Sequence, residues 1–272
     1  METTLPTLFI SHGAPTFALE PGRAGAQLGA LGRALPKPRA VVVVSPHWMT
    51  RGGVEVTAAP LPRTVHDFGG FDRALYTMHY PAPGDPALAA RAVQLLQAAG
   101  WDASLNEQQG FDHGAWVPLM HLYPDAGVPV VQVSMPATLD AEGAVRLGRA
   151  LAPLADEDVL VVGSGSLTHN LYEFRAGTTA PAAYAREFTD WIREAVQTGD
   201  AERLAQALER APHAARAHPT TEHFLPLLVA LGAARAPLPA TVLDGGIVHG
   251  MLAMESYVFG SELALETVPE AA

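Results

Sequence analysis

The run Ala40-Val41-Val42-Val43-Val44, closed by Ser45-Pro46-His47-Trp48, shows no alternation of apolar and polar positions. Such a strand is buried on both faces, as in a parallel sheet covered by helices. Residues 7–10, 128–134 and 159–162 repeat the pattern, whereas Val54-Glu55-Val56-Thr57 alternates as a half-buried strand does. Helical periodicity fills the gaps between these runs. Leu28, Leu31 and Leu35 mark a glycine-weakened helix over 21–35, broken by Pro36 and Pro38. Asp85 as N-cap, Pro86 at the first position, the stripe Leu88, Ala92, Leu95, Leu96 and Ala99, and the stop Gly100 define a second.

Further helices are predicted through Trp116, Leu119 and Met120, from an Asp140 cap to about residue 154, and through Tyr184, Phe188, Trp191, Ile192 and Ala195 to Gly199. Asp200 caps one carrying Leu204 and Leu208, and 219–224 opens one through Leu227, Leu228 and Leu231, with Thr220 or Thr221 as N-cap and His223 in the first turn. Residues 241–243 and 257–259 read as last strands around a Gly-rich turn. Strands alternating with helices predict an α/β fold, a single domain with a central, mostly parallel mixed β-sheet flanked by helices. No break favours two domains, so 1–272 reads as one. The active site is expected at the carboxyl ends of the strands, where open α/β sheets bind ligands.

Composition narrows the function. With 49% hydrophobic and 17% charged residues the chain can bury a large core. A net charge of −11 and the lack of any Lys/Arg cluster argue against nucleic acid and anionic membranes as partners. No apolar run approaches the ~20 residues that span a bilayer, and no signal peptide is evident, so a cytoplasmic protein is expected. The absence of cysteine leaves imidazole and carboxylate as the only metal ligands.

Eleven histidines then stand out. His12 and His47 each follow a buried strand, and Gly13 and Pro46 suit sharp turns, so two strands deliver imidazoles to one edge of the sheet. That arrangement suggests a metal site. His169 follows the loop Gly163-Ser164-Gly165-Ser166, which lacks the phosphate-binding patterns and G-x-S-x-G. His113 has Asp112 beside it either to orient it or to cap a helix. His223, near a helix start, is expected to be neutral there, as a metal requires. His79, His121, His213, His218 and His249 read as surface or hydrogen-bonded residues.

In order along the chain, 11–15 (SHGAP), 45–48 (SPHW), 66–71 (HDFGGF), 80–86 (YPAPGDP), 112–114 (DHG), 163–170 (GSGSLTHN) and 218–227 (HPTTEHFLPL) closely resemble the 4,5-DOPA dioxygenase branch of the class III extradiol ring-cleaving dioxygenases. The resemblance implies a mononuclear non-haem metal centre on His12, His47 and His223, with His169 as acid–base residue that also approaches the metal, and His113 as a further catalytic histidine. It implies a small catechol substrate and O2 as partners, Fe(II) for catalysis, and Zn(II) as an alternative occupant of an all-imidazole site. Asp67 and Trp48 are expected to bind substrate, and Phe68, Phe71 and Tyr76 to wall the cavity. A monomer or small homo-oligomer is expected. Two other readings stay open at this point: a zinc-dependent hydrolase on the same ligands, and a non-enzymatic binding protein with a dioxygenase-like fold.

Overall fold

A computed structural model describes residues 5–178, 180–235 and 239–260. Eight strands form the main sheet in the order β4-β3-β5-β2-β6-β1-β10-β7. They are β1 (Thr7–Ser11), β2 (Ala40–Thr50), β3 (Val54–Thr57), β4 (Ala103–Asn106), β5 (Val130–Pro136), β6 (Val159–Gly165), β7 (Thr241–Leu243) and β10 (Ser256–Phe259), while β8 (Ile247–Val248) and β9 (Leu252–Ala253) make a separate hairpin. The four central strands β5, β2, β6 and β1 are parallel. β3 and β10 pair antiparallel to their neighbours β5 and β1, so the expected mixed, mostly parallel sheet is the one observed.

Helices α1 (Gly22–Ala34) and α3 (His113–Leu122) cover one face, and α2 (Pro86–Ala98), α4 (Ala141–Leu151), α5 (Ala183–Thr198) and α9 (Leu225–Ala233) cover the other. The valine run shows why alternation was missing: Val42 and Val44 enter one core and Val41 and Val43 the other, all fully buried. Asp85, Asp140 and Asp200 cap their helices through side-chain oxygens, as their sequence positions predict. Among the described residues, no helix is long and apolar enough to cross a membrane.

Three local readings are corrected. His47 does not lie past the end of its strand: β2 runs to Thr50, with a register shift against β5 between Val44 and Met49 that accommodates Pro46. The helix expected through Leu204 and Leu208 is two short ones, α6 (Ala201–Ala205) and α7 (Ala207–Arg210), divided at Gln206 and followed by α8 (Ala214–Ala217). Finally, α9 begins at Leu225 with no side-chain cap, so His223 lies in the turn before the helix. Its neutrality comes from burial rather than from a helix end.

The sheet is braced beside the site by a buried ion pair. Arg193 of α5 donates to both carboxylate oxygens of Glu255, Nε lying 3.1 Å from Oε1 and 2.9 Å from Oε2, and the Tyr257 hydroxyl donates to Oε1 at 2.8 Å. The Ser11 hydroxyl in turn donates to the Glu255 carbonyl at 2.6 Å, which ties this network to the end of β1. Burial raises the Glu255 carboxyl above the usual range, with the Arg193 bond as partial offset. A carboxyl raised in the folded state binds its proton more readily folded than unfolded, so stability lost to an unpaired Glu255 returns as pH falls. Arg193→Met should therefore lower unfolding free energy by roughly 2–3 kcal/mol at pH 8, less at pH 6. Urea denaturation at the two pH values measures this.

Candidate metal centre and cavity

Three histidines from distant parts of the chain meet at the carboxyl ends of the central strands. His12 follows β1, His47 lies in the irregular part of β2, and His223 precedes α9. His47 Nε2 is 3.2 Å from His12 Nε2 and 3.3 Å from His223 Nε2. Two imidazole nitrogens each ~2.1 Å from one ion, at roughly 100° to each other, would stand about 3.2 Å apart. Each of these two spacings therefore fits a pair of ligands on one cation, with His47 common to both.

What faces the other ring nitrogens decides the tautomers. Ser164 Oγ donates to the Gly114 carbonyl and lies 3.0 Å from His12 Nδ1, so it accepts from that nitrogen. Glu222 Oε1 is 3.1 Å from His223 Nδ1, and Asp67 Oδ2 is 3.3 Å from His47 Nδ1. His12 and His223 thus each have an acceptor at Nδ1, which places the proton there and leaves their Nε2 lone pairs free, and the Asp67 carboxylate lies close to His47 Nδ1. Burial lowers the pKa of His12 and His223 well below the ordinary value and that of His47 to about 3, with neighbouring imidazoles adding to the effect. All three are neutral at pH 7, and the donor set fits a divalent metal.

His113 and His169 face the same space. Asp67 accepts from the His113 backbone N–H and from its Nδ1, both at 2.8 Å. Burial opposes ionisation of Asp67, but these bonds outweigh it and hold the carboxyl below its usual pKa. His113 is the first residue of α3, whose cap Asp112 receives the Ser45 hydroxyl and the Gln132 amide and so links the helix to β2 and β5. Asp112 therefore caps the helix, one of the two roles open to it in sequence. Burial, with the nearby Asp67 charge, lifts the Asp112 pKa to about 6 against those bonds.

His169 stacks face to face on His223, with ring centroids 3.4 Å apart and planes 8° off parallel. Burial lowers its pKa to about 4, while Glu222 acts in the opposite direction. The resting imidazole is thus a free base at neutral pH. One of its ring nitrogens groups with a Glu222 carboxylate oxygen and a His223 nitrogen, and one of His113 with those of His12 and His47, the atoms of each set lying within 4.8 Å of one another.

The Gly-Ser loop before His169 has a packing role that sequence did not show. A Cβ at Gly163 would strike the Pro226 carbonyl and one at Gly165 the His223 carbonyl. These glycines let the segment bearing His223 lie directly on β6. The loop is then laced to that segment: Ser166 N–H donates to the His223 carbonyl at 2.9 Å, His169 N–H to the Ala217 carbonyl at 2.8 Å, and His218 Nε2 to the Leu167 carbonyl at 2.8 Å.

The histidines open into a cavity of about 370 Å³, walled by Pro15, Phe68, Phe71, Leu171, Phe174 and Leu252. Of the expected wall residues, Phe68 and Phe71 line it, whereas Tyr76 packs on Phe68 from outside. Trp48 is not there: next to His47 in the strand it projects the other way, into a separate depression with Met49, Glu55 and Asp102. Asp67 sits behind the histidines and holds them rather than lining the cavity. The other histidines are engaged elsewhere, His121 with the Phe17 carbonyl, His213 with Glu187, and His249 against Phe174. Ser164 and Glu222 were missed as orienting groups. Only Glu222, adjacent to His223, left any sequence signal.

Residues 7–260 match the family model described as LigB, the catalytic subunit of aromatic ring-opening dioxygenase. The chain is 42% identical over 263 residues to an Escherichia coli protein named 4,5-DOPA dioxygenase extradiol, covering 95% of this chain and 96% of that one. A Beta vulgaris protein of the same name is 39% identical, with 94% and 96% covered. The crystal structure of the uncharacterized Escherichia coli K12 protein JW3007 superposes with a TM-score of 0.76 at 34% identity, covering 94% of this chain and all of that one. A sheet edge bearing five clustered histidines, matched along nearly its whole length to ring-opening enzymes, identifies the chain as a member of the LigB family of class III extradiol dioxygenases.

Proposed function

We propose that this chain opens a catechol-type, DOPA-like ring with O2 at one divalent metal ion held by His12, His47 and His223, Fe(II) in the working enzyme, to give a ring-opened semialdehyde. The observation that carries the reading is that Nε2 of neutral His47 lies 3.2 Å from that of neutral His12 and 3.3 Å from that of neutral His223, beside a cavity that His113 and His169 also enter. Bound there, the ion would bring a catechol and O2 together and relay electron density between partners whose direct reaction is spin-forbidden.

The protein's own groups do the rest. His169 takes the proton from a substrate hydroxyl as a free base, kept unprotonated by burial, and returns it later in the reaction. His113 uses its Nδ1 toward Asp67, so its Nε2 is the atom that meets a substrate hydroxyl. The aromatic and aliphatic walls hold the ring and exclude water. We read residues 1–272 as one catalytic unit, cytoplasmic, acting as a monomer or small homo-oligomer.

The deciding experiment is oxygen dependence. Fe(II)-loaded enzyme should consume O2 in step with formation of a yellow ring-opened product from a catechol and stop under argon, whereas turnover that continues without O2 would mark a hydrolase. Elemental analysis should find one metal per chain in the wild type and a substoichiometric amount in His12→Ala, His47→Ala and His223→Ala. His169→Ala should keep its metal yet lose at least ~10²-fold in kcat, the usual worth of acid–base catalysis, and near-normal turnover would remove that role.

A further inference from the structure

His218 is not a surface residue: it is 3% exposed, its ring set between Phe188 of α5 and Phe224, with ring centroids 5.5 and 5.2 Å away. Burial lowers its pKa to about 4, so the imidazole is neutral at pH 7, and its Nδ1 has no hydrogen-bond partner among the described residues. The proton therefore sits on Nε2, which donates to the Leu167 carbonyl at 2.8 Å. A buried ring with one nitrogen unsatisfied is a costly way to fill a core, since leucine would occupy similar space with no polar atom to desolvate. What the imidazole supplies is that one donor.

Leu167 lies two residues before His169, and Phe224 directly follows His223. His218 thus touches both the loop that carries the base and the segment that carries the third metal ligand. Beside it, the His169 N–H donates to the Ala217 carbonyl at 2.8 Å, so residues 217 and 218 hold the loop by two bonds running in opposite senses. On the loop's other side the Thr168 hydroxyl donates to the Met251 carbonyl and accepts from the Ala253 N–H at 2.9 Å, which ties it to the β8–β9 hairpin. We infer that His218 is a positioning residue for His169: through the Leu167 carbonyl it fixes the loop against the His223 segment and holds the His169 ring in the close stack from which it meets the substrate hydroxyl. The inference rests on the proposed function for the role of His169 and adds to it a residue outside the cavity. Proton transfer needs heavy atoms ~2.6–3.2 Å apart, and a displacement of about 1 Å costs on the order of 10²-fold in rate. Without the Nε2 donor the buried Leu167 carbonyl loses its partner, and the loop turns to find another, carrying His169 with it.

The test is steady-state turnover of DOPA by the Fe(II)-loaded wild type, His218→Leu, His218→Gln and His218→Asn, each repeated in a His169→Ala background, with metal content by elemental analysis and amide hydrogen exchange over residues 166–170 by mass spectrometry. His218→Leu should lower kcat about 10–100-fold with KM within about twofold and metal content unchanged. Glutamine, whose amide nitrogen reaches the position of Nε2, should restore kcat to within about fivefold of wild type. Asparagine, one methylene shorter, should behave as leucine does, which preserves the comparison if the leucine variant does not fold. Because His218 acts through His169, none of these substitutions should change the residual rate of His169→Ala by more than about twofold. Exchange over 166–170 should quicken in the leucine and asparagine variants and not in the glutamine one. Normal kcat in His218→Leu or His218→Asn, loss of metal in either, or a full further loss of rate in the His169→Ala background would overturn the inference. A wild type that opens no catechol with O2 would sink the proposed reaction instead, and the exchange rates would then decide whether His218 holds the loop.

Discussion

Five imidazoles crowded at one end of a sheet are tolerable only if uncharged, and useful only if their lone pairs face one place. Both conditions are met by the same means. Burial removes the proton that would make His12, His47, His169 and His223 cations, and a hydrogen-bond acceptor at Nδ1 of His12, His113 and His223 fixes where a ring proton sits. The acceptors differ in kind, a hydroxyl for His12 and carboxylates for His113 and His223, and come from different elements. Removing any one would free a ring to flip or change tautomer, and the metal set would lose its geometry.

The fold exists around that requirement in a literal sense. Parallel central strands point their carboxyl ends the same way, so residues 11–13, 45–48 and 164–169 arrive together although more than a hundred positions separate the first from the last. An irregularity in β2 lets Pro46 and His47 leave the regular pleat, and two glycines in β6 let the chain before α9 press against the sheet and bring His223 within reach. Asp112, buried and bonded to two strands, fixes the start of α3 and with it His113. The Arg193–Glu255 pair performs the same service at the end of β1. Buried polar groups in this protein are concentrated where they hold an imidazole or the strand that bears one.

A polar constellation set into an apolar cavity divides the work of recognition. His47, His113, His169 and His223 line one cavity whose remaining side chains, among the described residues, are apolar.

Sequence alone determined the sheet class, the strands buried on both faces, the helix caps and the histidines at the ends of strands, because each is a local pattern: period of hydrophobicity, capping residue, residue type at a strand terminus. It misjudged Trp48, since one residue's step along an extended strand turns a side chain to the opposite face, and a register shift cannot be read from composition. The lowered pKa of His169 could not be read there either, because desolvation is a property of neighbours distant in sequence. Only the tertiary structure decided which imidazoles meet, that Asp67 accepts from His113 and lies beside His47, and that Ser164 orients His12 across 152 positions of chain. Distances between side chains are set by the packing of whole elements, and no stretch of sequence contains that information locally.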